Sequence, residues 1–385
     1  MMPGAATNLL ASADAAVAAG DLPRAISLLS QAAETQPEVA ELWTKLAALQ
    51  RASGNPAAAL DAVHHALALS PLDFTLLLMR ASLLQRIGHA DAGEAWSHAL
   101  AQKPAGDLPP QLAAAVAEGE LRAEEWTRAR EVQMQSATAS AEAKASEEER
   151  QRIQRFRSNA LRRTKPYHSE PTDFQFPGLA EREFHPRRLF PWLDRIEAAT
   201  EDLTSELRRV MAAERAELVP YIQYDEHLPL AQWKPLNRNP AWTAIHLLQN
   251  GETVEANARH CPRAMELLRD LPQPDIAGAS PNALFSLLAP HTHIPPHVGV
   301  NNTRLVCHLP LIVPQGCWFR VGAETRQWKP GEAFVFDDTI EHEAMNPTDA
   351  LRVVFIFDVW HPDLSPLERE AVAALVGAGS VPAGL

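Results

Sequence analysis

The feature that most restricts what this 385-residue chain can fold into is a repeat in its N-terminal part. Gly20, Gly54 and Gly88 follow one another at intervals of 34 residues. Ala25 and Ala59, Ala32 and Ala66, and Pro37 and Pro71 keep the same interval, and a third copy one residue shorter gives Ala99 and Pro104. A period of this length is one supersecondary unit that cannot bury its apolar side alone, so neighbouring copies must stack. Small residues at Ala25, Ala32, Ala59 and Ala66 let two antiparallel helices approach closely. The glycines then fall in the turn between helices, and the prolines close the second helix of each pair.

Trp43, Leu46, Ala47, Gly54, Ala59, Ala66 and Pro71 resemble the tetratricopeptide pattern position by position. The resemblance implies an α-helical solenoid of about three repeats over residues 1–106, with a groove of the kind that docks peptides. Residues 107–165 read as a helical linker: a short helix Pro110–Ala117 and a long polar one Arg122–Arg163. The alternating charges of E-A-K-A-S-E-E-E-R-Q-R suit a solvent-bridging helix. Arg152, Arg155, Arg157, Arg162, Arg163 and Lys165 form a solvated face or meet an acidic surface. A formal net charge of −13 gives no general basic surface for nucleic acid or anionic lipid. Cys261, Cys307 and Cys317 make no short-spaced metal motif and no dense disulfide framework, so a reduced cytoplasm is expected, with one disulfide left open. No run approaches the length of a transmembrane segment, and M-M-P-G-A-A-T-N-L-L is not a signal peptide.

Beyond Lys165 the texture changes. K-P-Y-H-S-E-P-T-D-F-Q-F-P-G-L reads as an extended lead-in, followed by helices at Phe190–Ala199 and Leu203–Glu217. W-T-A-I-H-L-L then reads as a strand and P-R-A-M-E-L-L-R-D-L as a helix opening on Pro262. After Pro281 the apolar pattern has period two. Arg304, Val306 and His308 share one strand face, and Leu305, Cys307 and Leu309 the other. Arg352, Val354 and Ile356 share a face opposed to Phe355 and Phe357. Short antiparallel strands with Pro and Gly turns indicate a double-stranded β-helix, a jelly-roll of cupin-like form with flanking helices, over residues 166–385. The whole chain is therefore expected to be α+β. Ser365-Pro-Leu-Glu368 is a capping box opening a last helix.

Two histidines in this half, His297 and His342, stand 45 positions apart, each at the end of an apolar run, and Arg352 follows ten residues after the second. Imidazoles suit Fe(II), open coordination positions admit a co-substrate and O₂, and a strand guanidinium grips the far carboxylate of a dianion. Such a set is what an iron- and 2-oxoglutarate-dependent oxygenase needs. A cation in an apolar strand must be paired to be buried, so the alternative partner for Arg352 is a salt bridge to Asp358 or Glu341. The acidic neighbours Asp337, Asp338, Glu341 and Glu343 either orient His342 or supply a third ligand. A zinc cluster of His291, His293 and His297 is the weaker reading, because it leaves His342 unexplained.

At S-L-L-A-P-H-T-H-I-P-P-H-V-G, R-L-V-C-H-L-P-L, F-D-D-T-I-E-H-E and R-V-V-F-I-F-D-V-W the sequence resembles the aspartyl/asparaginyl β-hydroxylase family, from about Phe176 onward. The resemblance implies an Fe(II) site of His297 and His342 alone, with Gly299 where an H-x-D/E enzyme has its acid. It further implies that Arg352 and Ser286 hold the far carboxylate of 2-oxoglutarate, and that His308 and Arg304 face its near end or the substrate. The chain departs from the R-L-R-x-H-L pattern of the animal enzymes in having Val306, so one positive group beside the iron is missing. The implied activity is hydroxylation of an Asp- or Asn-type C–H in a peptide or protein, with 2-oxoglutarate converted to succinate and CO₂. A small-molecule or acyl substrate, a non-catalytic repeat scaffold carrying a dead barrel, and a cupin with other chemistry are the competing readings.

Overall fold

The computed structural model describes residues 4–379, except 214–218, 222, 224–226, 228–233 and 235. The chain divides into two compact units, Met1–Arg163 and Thr164–Leu385.

The first unit is helical. Three antiparallel pairs follow one another: α1 (Gly4–Ala18) with α2 (Leu22–Thr35), α3 (Ala40–Ala52) with α4 (Pro56–Leu69), and α5 (Phe74–Arg86) with α6 (Ala92–Leu100). Gly20, Gly54 and Gly88 sit in the three intra-pair turns with φ of +76°, +82° and +68°. A Cβ there would meet nothing within 4 Å, so left-handed backbone and not space demands glycine. Ala32, Ala47, Ala59, Ala66 and Ala81 are fully buried, which is how the helices approach. Leu29, Leu46, Leu78 and Leu84 fill the remaining core.

The expected linker folds differently. One 33-residue helix, α7 (Pro110–Glu142), replaces the short helix, and α8 (Glu147–Ala160) follows it. The break falls at Ser146 because its hydroxyl caps the Glu149 amide while the Glu149 carboxylate takes the Ser146 amide at 2.8 Å. Gly119 does not interrupt α7. It lies against the Trp96 indole, where a Cβ would come within 2.6 Å of the ring.

The second unit opens with an extended lead-in, pinned by isolated bridges such as Ser169 to Ile340 and Phe184 to Phe336. Helices α9 (Leu193–Ala198) and α10 (Thr200–Met211) come next, shorter than the sequence suggests, and residues 214–217 of the expected second helix lie outside the described residues. Then come β1 (Val219–Pro220), β2 (Trp242–Gln249), β3 (Glu252–Thr253), α11 (Glu255–Ala258) and α12 (Pro262–Arg269). The strands β4 (Ala283–Leu288), β5 (Thr292–His297), β6 (Arg304–Ile312), β7 (Trp318–Val321), β8 (Glu324–Gln327), β9 (Phe334–Phe336), β10 (His342–Asn346) and β11 (Arg352–Trp360) follow, before α13 (Pro366–Gly377). The Ser365–Glu368 capping box opens α13 as the sequence indicates.

Two antiparallel sheets form. The larger runs β1-β2-β4-β11-β6-β9 with β3 on β2, and the smaller runs β5-β10-β7-β8. Neither closes, so the jelly-roll expectation is realised as an open two-sheet fold and not as a closed barrel. Strand periodicity divides the residues of the larger sheet between two cores. Odd positions such as Leu305, Cys307, Leu309, Val353, Phe355 and Phe357 pack on Leu193, Ile196, Leu203 and Leu207 of α9 and α10. Even positions such as Leu288, Val306 and Val354 pack on Ile294, Phe319, Val321 and Ala344 of the smaller sheet.

Candidate active site

Between the sheets lies a cavity of about 380 Å³, whose wall includes all six residues the sequence singles out: Ser286, His297, Arg304, His308, His342 and Arg352. His297 ends β5, His342 begins β10, and the register pairs them directly across the ladder. Their ring centroids are 3.9 Å apart. The Nδ1 atom of His297 lies 2.8 Å from the Pro295 carbonyl oxygen, and that of His342 lies 3.1 Å from the Ile340 carbonyl oxygen. Each carbonyl accepts an Nδ1–H bond and so selects the tautomer whose Nε2 carries a lone pair. Burial pulls His342 down to about 4 and His297 well below the usual imidazole value, so both rings are neutral near pH 7. Two neutral imidazoles in cross-strand register can hold a metal ion. Among the described residues, no group of three or more His, Cys, Asp or Glu side chains does so.

The acidic neighbours of His342 do not orient it. Glu341 and Glu343 face away from the cavity and pair with Arg320, and Glu343 also takes His293 at 2.8 Å. Asp337 accepts from the Thr339 amide at 2.9 Å. Asp338 pairs with Arg304 at 3.0 Å, its carboxylate lying where a side chain at position 299 would go. A Cβ on Gly299 would fall 2.3 Å from Asp338 Oδ2, so this glycine is required for space. His291 and His293 are exposed and bound to Asp349 and Glu343, on the opposite side of β5 from Thr292 and Ile294. The zinc-cluster reading therefore has no geometric support: the register shift between the His342–His297 and Ala344–Ile294 pairs brings His297 round to the cavity side with Ile294, away from the exposed His293.

Arg352 is 2% exposed, and among the described residues no carboxylate pairs with it. Asp358 accepts instead from Ser280 Oγ and the Asn282 amide, both at 2.7 Å, and Glu341 is taken by Arg320, so the salt-bridge alternative is absent. Arg352 Nη1 donates to the Ser286 carbonyl at 3.2 Å and to Ser286 Oγ at 3.3 Å, and the guanidinium lies 4.7 Å over the Trp328 ring. Its Nε has no partner, and burial lowers it to about 10. Trp242 Nε1 also donates to Ser286 Oγ at 3.1 Å. With two donors already aimed at that oxygen, the Ser286 hydroxyl proton is left to point into the cavity. His308 is boxed by Phe319, Phe334 and Phe336, and its Nδ1 is buried without a partner.

Sequence reasoning missed Trp242, Trp328, His246 and Tyr221, all on the cavity or its rim. Tyr221 stacks on Trp242 at 4.0 Å. Only His246 left a signal, as the one polar ring inside the apolar run of β2.

An open two-sheet fold with a cross-strand histidine pair and a buried, carboxylate-free arginine defines a metal-ready class of β-domain. Residues 197–362 match the family model described as aspartyl/asparaginyl beta-hydroxylase. The chain is 32% identical over 187 residues to the human aspartyl/asparaginyl beta-hydroxylase, covering 48% of this chain and 24% of that one. It is 38% identical over 152 residues to the human aspartate beta-hydroxylase domain-containing protein 2, covering 38% of this chain and 41% of that one. The chain thus aligns with less than half the length of either relative. Among solved structures, the Sgt2 TPR domain of Aspergillus fumigatus aligns with 33% of this chain and 83% of its own, at 20% identity and a TM-score of 0.28.

Proposed function

We propose that the second unit is an Fe(II)- and 2-oxoglutarate-dependent hydroxylase acting on an Asp- or Asn-type side chain of a peptide or protein, as the family's name suggests. The observation that carries this reading is the His297–His342 pair at 3.9 Å in the same cavity as Arg352, a buried guanidinium with no anionic partner among the described residues. A buried cation left unpaired is costly, and a dicarboxylate seated against it relieves that cost. The donor set fits the groups it would receive: two neutral imidazoles suit Fe(II), and a guanidinium with an adjacent hydroxyl suits a carboxylate.

His297 and His342 would hold the metal through Nε2. Arg352 and Ser286 would hold the far carboxylate of the co-substrate, each charge-assisted bond contributing about 1.5–3 kcal/mol. Bound together, iron and 2-oxoglutarate supply the oxidising power for breaking a C–H bond, with succinate and CO₂ as by-products. The residues of this chain position and shield. Phe319 and Trp328 wall the co-substrate end against water, and the Pro295 and Ile340 carbonyls keep both imidazoles in one tautomer.

The repeat unit is proposed to help dock the peptide. Three free, buried cysteines accord with a reducing, cytoplasmic setting, and among the described residues no helix is long and apolar enough to cross a membrane. The test is anaerobic addition of Fe(II) and 2-oxoglutarate to the full chain. A visible charge-transfer band and succinate release are expected, both lost in His342→Ala while the helical unit stays folded. A folded protein with no band sinks the proposal. Succinate release with small acids but not with peptides moves the substrate to a small molecule.

A further inference from the structure

The cavity is asymmetric in charge along the strands. Arg352 begins β11, and six residues further, roughly 20 Å along an extended strand, Asp358 ends the same inward face. The register places Ser286 beside Val354, Leu284 and His308 beside Ile356, and Val306 beside Asp358. His342 lies near this second end, its ring 5.4 Å from that of Phe336, which pairs with Val306. A co-substrate gripped by Arg352 therefore fills one end, and the substrate side chain must come from the other.

That other end holds little for an anion. Of the described residues lining it, the one cation is Arg304, and it already pairs with Asp338 at 3.0 Å, both side chains about nine-tenths buried. Asp358 adds a second carboxylate, buried and held by Ser280 and Asn282. Burial and these two carboxylates act oppositely on Arg304, and the carboxylates prevail, holding its guanidinium above the usual value. Val306 contributes only methyl groups. An incoming carboxylate would meet two like charges in a low-dielectric wall, or would have to take Arg304 from Asp338, whose Oδ1 is already buried without a partner.

Neutral hydrogen-bonding groups are present at the same end. His246 faces the cavity from β2 with a buried Nδ1 that has no partner. Burial holds that ring down at about 4, so at neutral pH it is uncharged and able to donate at one nitrogen and accept at the other. The Gln249 amide lines the wall one turn of the pleat further on.

We infer that the side chain this cavity acts on is an uncharged hydrogen-bonding group, a carboxamide and not a carboxylate, read by His246 and selected against negative charge by Asp338, Asp358 and Val306. This rests on the hydroxylase reading for which end is which, but its test does not depend on turnover. Binding of N-acetyl-L-asparagine N-methylamide and N-acetyl-L-aspartate N-methylamide to the full chain is measured by quenching of tryptophan fluorescence at neutral pH. The measurement is made with saturating 2-oxoglutarate, and again in Arg352→Gln without it, so that the aspartate compound cannot occupy the Arg352 end.

The amide is expected to bind at least ten-fold more tightly in both formats. His246→Phe should remove most of that advantage by weakening the amide alone. Val306→Arg should reverse the order, and Asp338→Asn, a milder change that removes one negative charge beside Arg304, should narrow the gap several-fold. Equal affinities, tighter binding of the aspartate compound, no binding of either, or no response to Asp338→Asn would each overturn the inference. Failure of 2-oxoglutarate to bind, with the amide preference intact in Arg352→Gln, would instead sink the hydroxylase reading and leave this one standing.

Discussion

The two units bury different things. Among the described residues, every buried polar or charged side chain lies in the sheet unit, from Ser169 to His361. The repeat unit's buried core is Ala, Leu, Val and Trp96. Stacked helix pairs satisfy their backbone internally and meet only their neighbours, so alanine and leucine suffice. The sheet unit encloses a cavity between layers that come from distant parts of the chain, and there it buries His308, His342 and Arg352, which have no carboxylate partner among the described residues. Groups of that kind lower stability, and a fold retains them where a ligand completes them. The first unit is built for stacking and the second for a site.

That contrast can be broken from either side. The largest stability effect is expected at Phe355, fully buried between Phe285 and Phe357. Phe355→Ala should cost the sheet unit about 3–5 kcal/mol, read by hydrogen exchange resolved along the chain, with protection of the helical unit unchanged. Arg352→Met separates function from stability. It should reduce 2-oxoglutarate affinity by about 100-fold, equivalent to about one or two charge-assisted bonds, while the melting temperature stays level or rises. A fall in melting temperature with affinity intact would make Arg352 a structural residue.

Acid should distinguish the units next. His185 sits edge-on to His361 at 5.1 Å, with both ring nitrogens buried and unpartnered, and burial first, then His361 and Arg182, lower it from 6.5 to about 3. Its folded value lies below its unfolded one, so the unfolded chain takes up a proton that the folded chain cannot. The stabilisation from keeping it neutral is complete above pH 6.5 and is lost as pH falls towards 3. The sheet unit should therefore unfold first on acidification. His185→Phe should make its stability less steep by about one proton, about 1.4 kcal/mol per pH unit. An unchanged slope in a chemical-denaturation series from pH 7 to 4 would refute this.

In the helical unit the effects should be smaller. Gly119→Ala places a methyl against Trp96 and should cost about 1–3 kcal/mol despite the better helix propensity of alanine. Asp73 caps α5 by accepting from the Leu76 amide at 2.9 Å. Asp73→Ala should cost about 1 kcal/mol, and urea titration of the full chain should assign both losses to the first unit alone.

Much was legible without coordinates, for reasons tied to particular residues. Gly20, Gly54 and Gly88 announce their turns because only glycine enters left-handed backbone freely. The alternation in R-L-V-C-H-L-P-L divides β6 between two cores because side chains on a strand must point to opposite faces. His297, His342 and Arg352 stand out because each interrupts or ends an apolar run. The Ser146 break in the long linker was missed although its capping box is written in the sequence, since the charged run around it reads as one continuous helix.

The sequence by itself determined the repeat, the strand faces and the three residues most in need of a partner, because periodicity and polarity are properties of neighbours along the chain. Only the tertiary structure decided that His297 meets His342 across a ladder, that Asp338 spends its charge on Arg304 and fills the space beside Gly299, and that no carboxylate among the described residues reaches Arg352. Those outcomes depend on register and on which of several acids wins each cation, and both are settled by contacts between segments tens of residues apart.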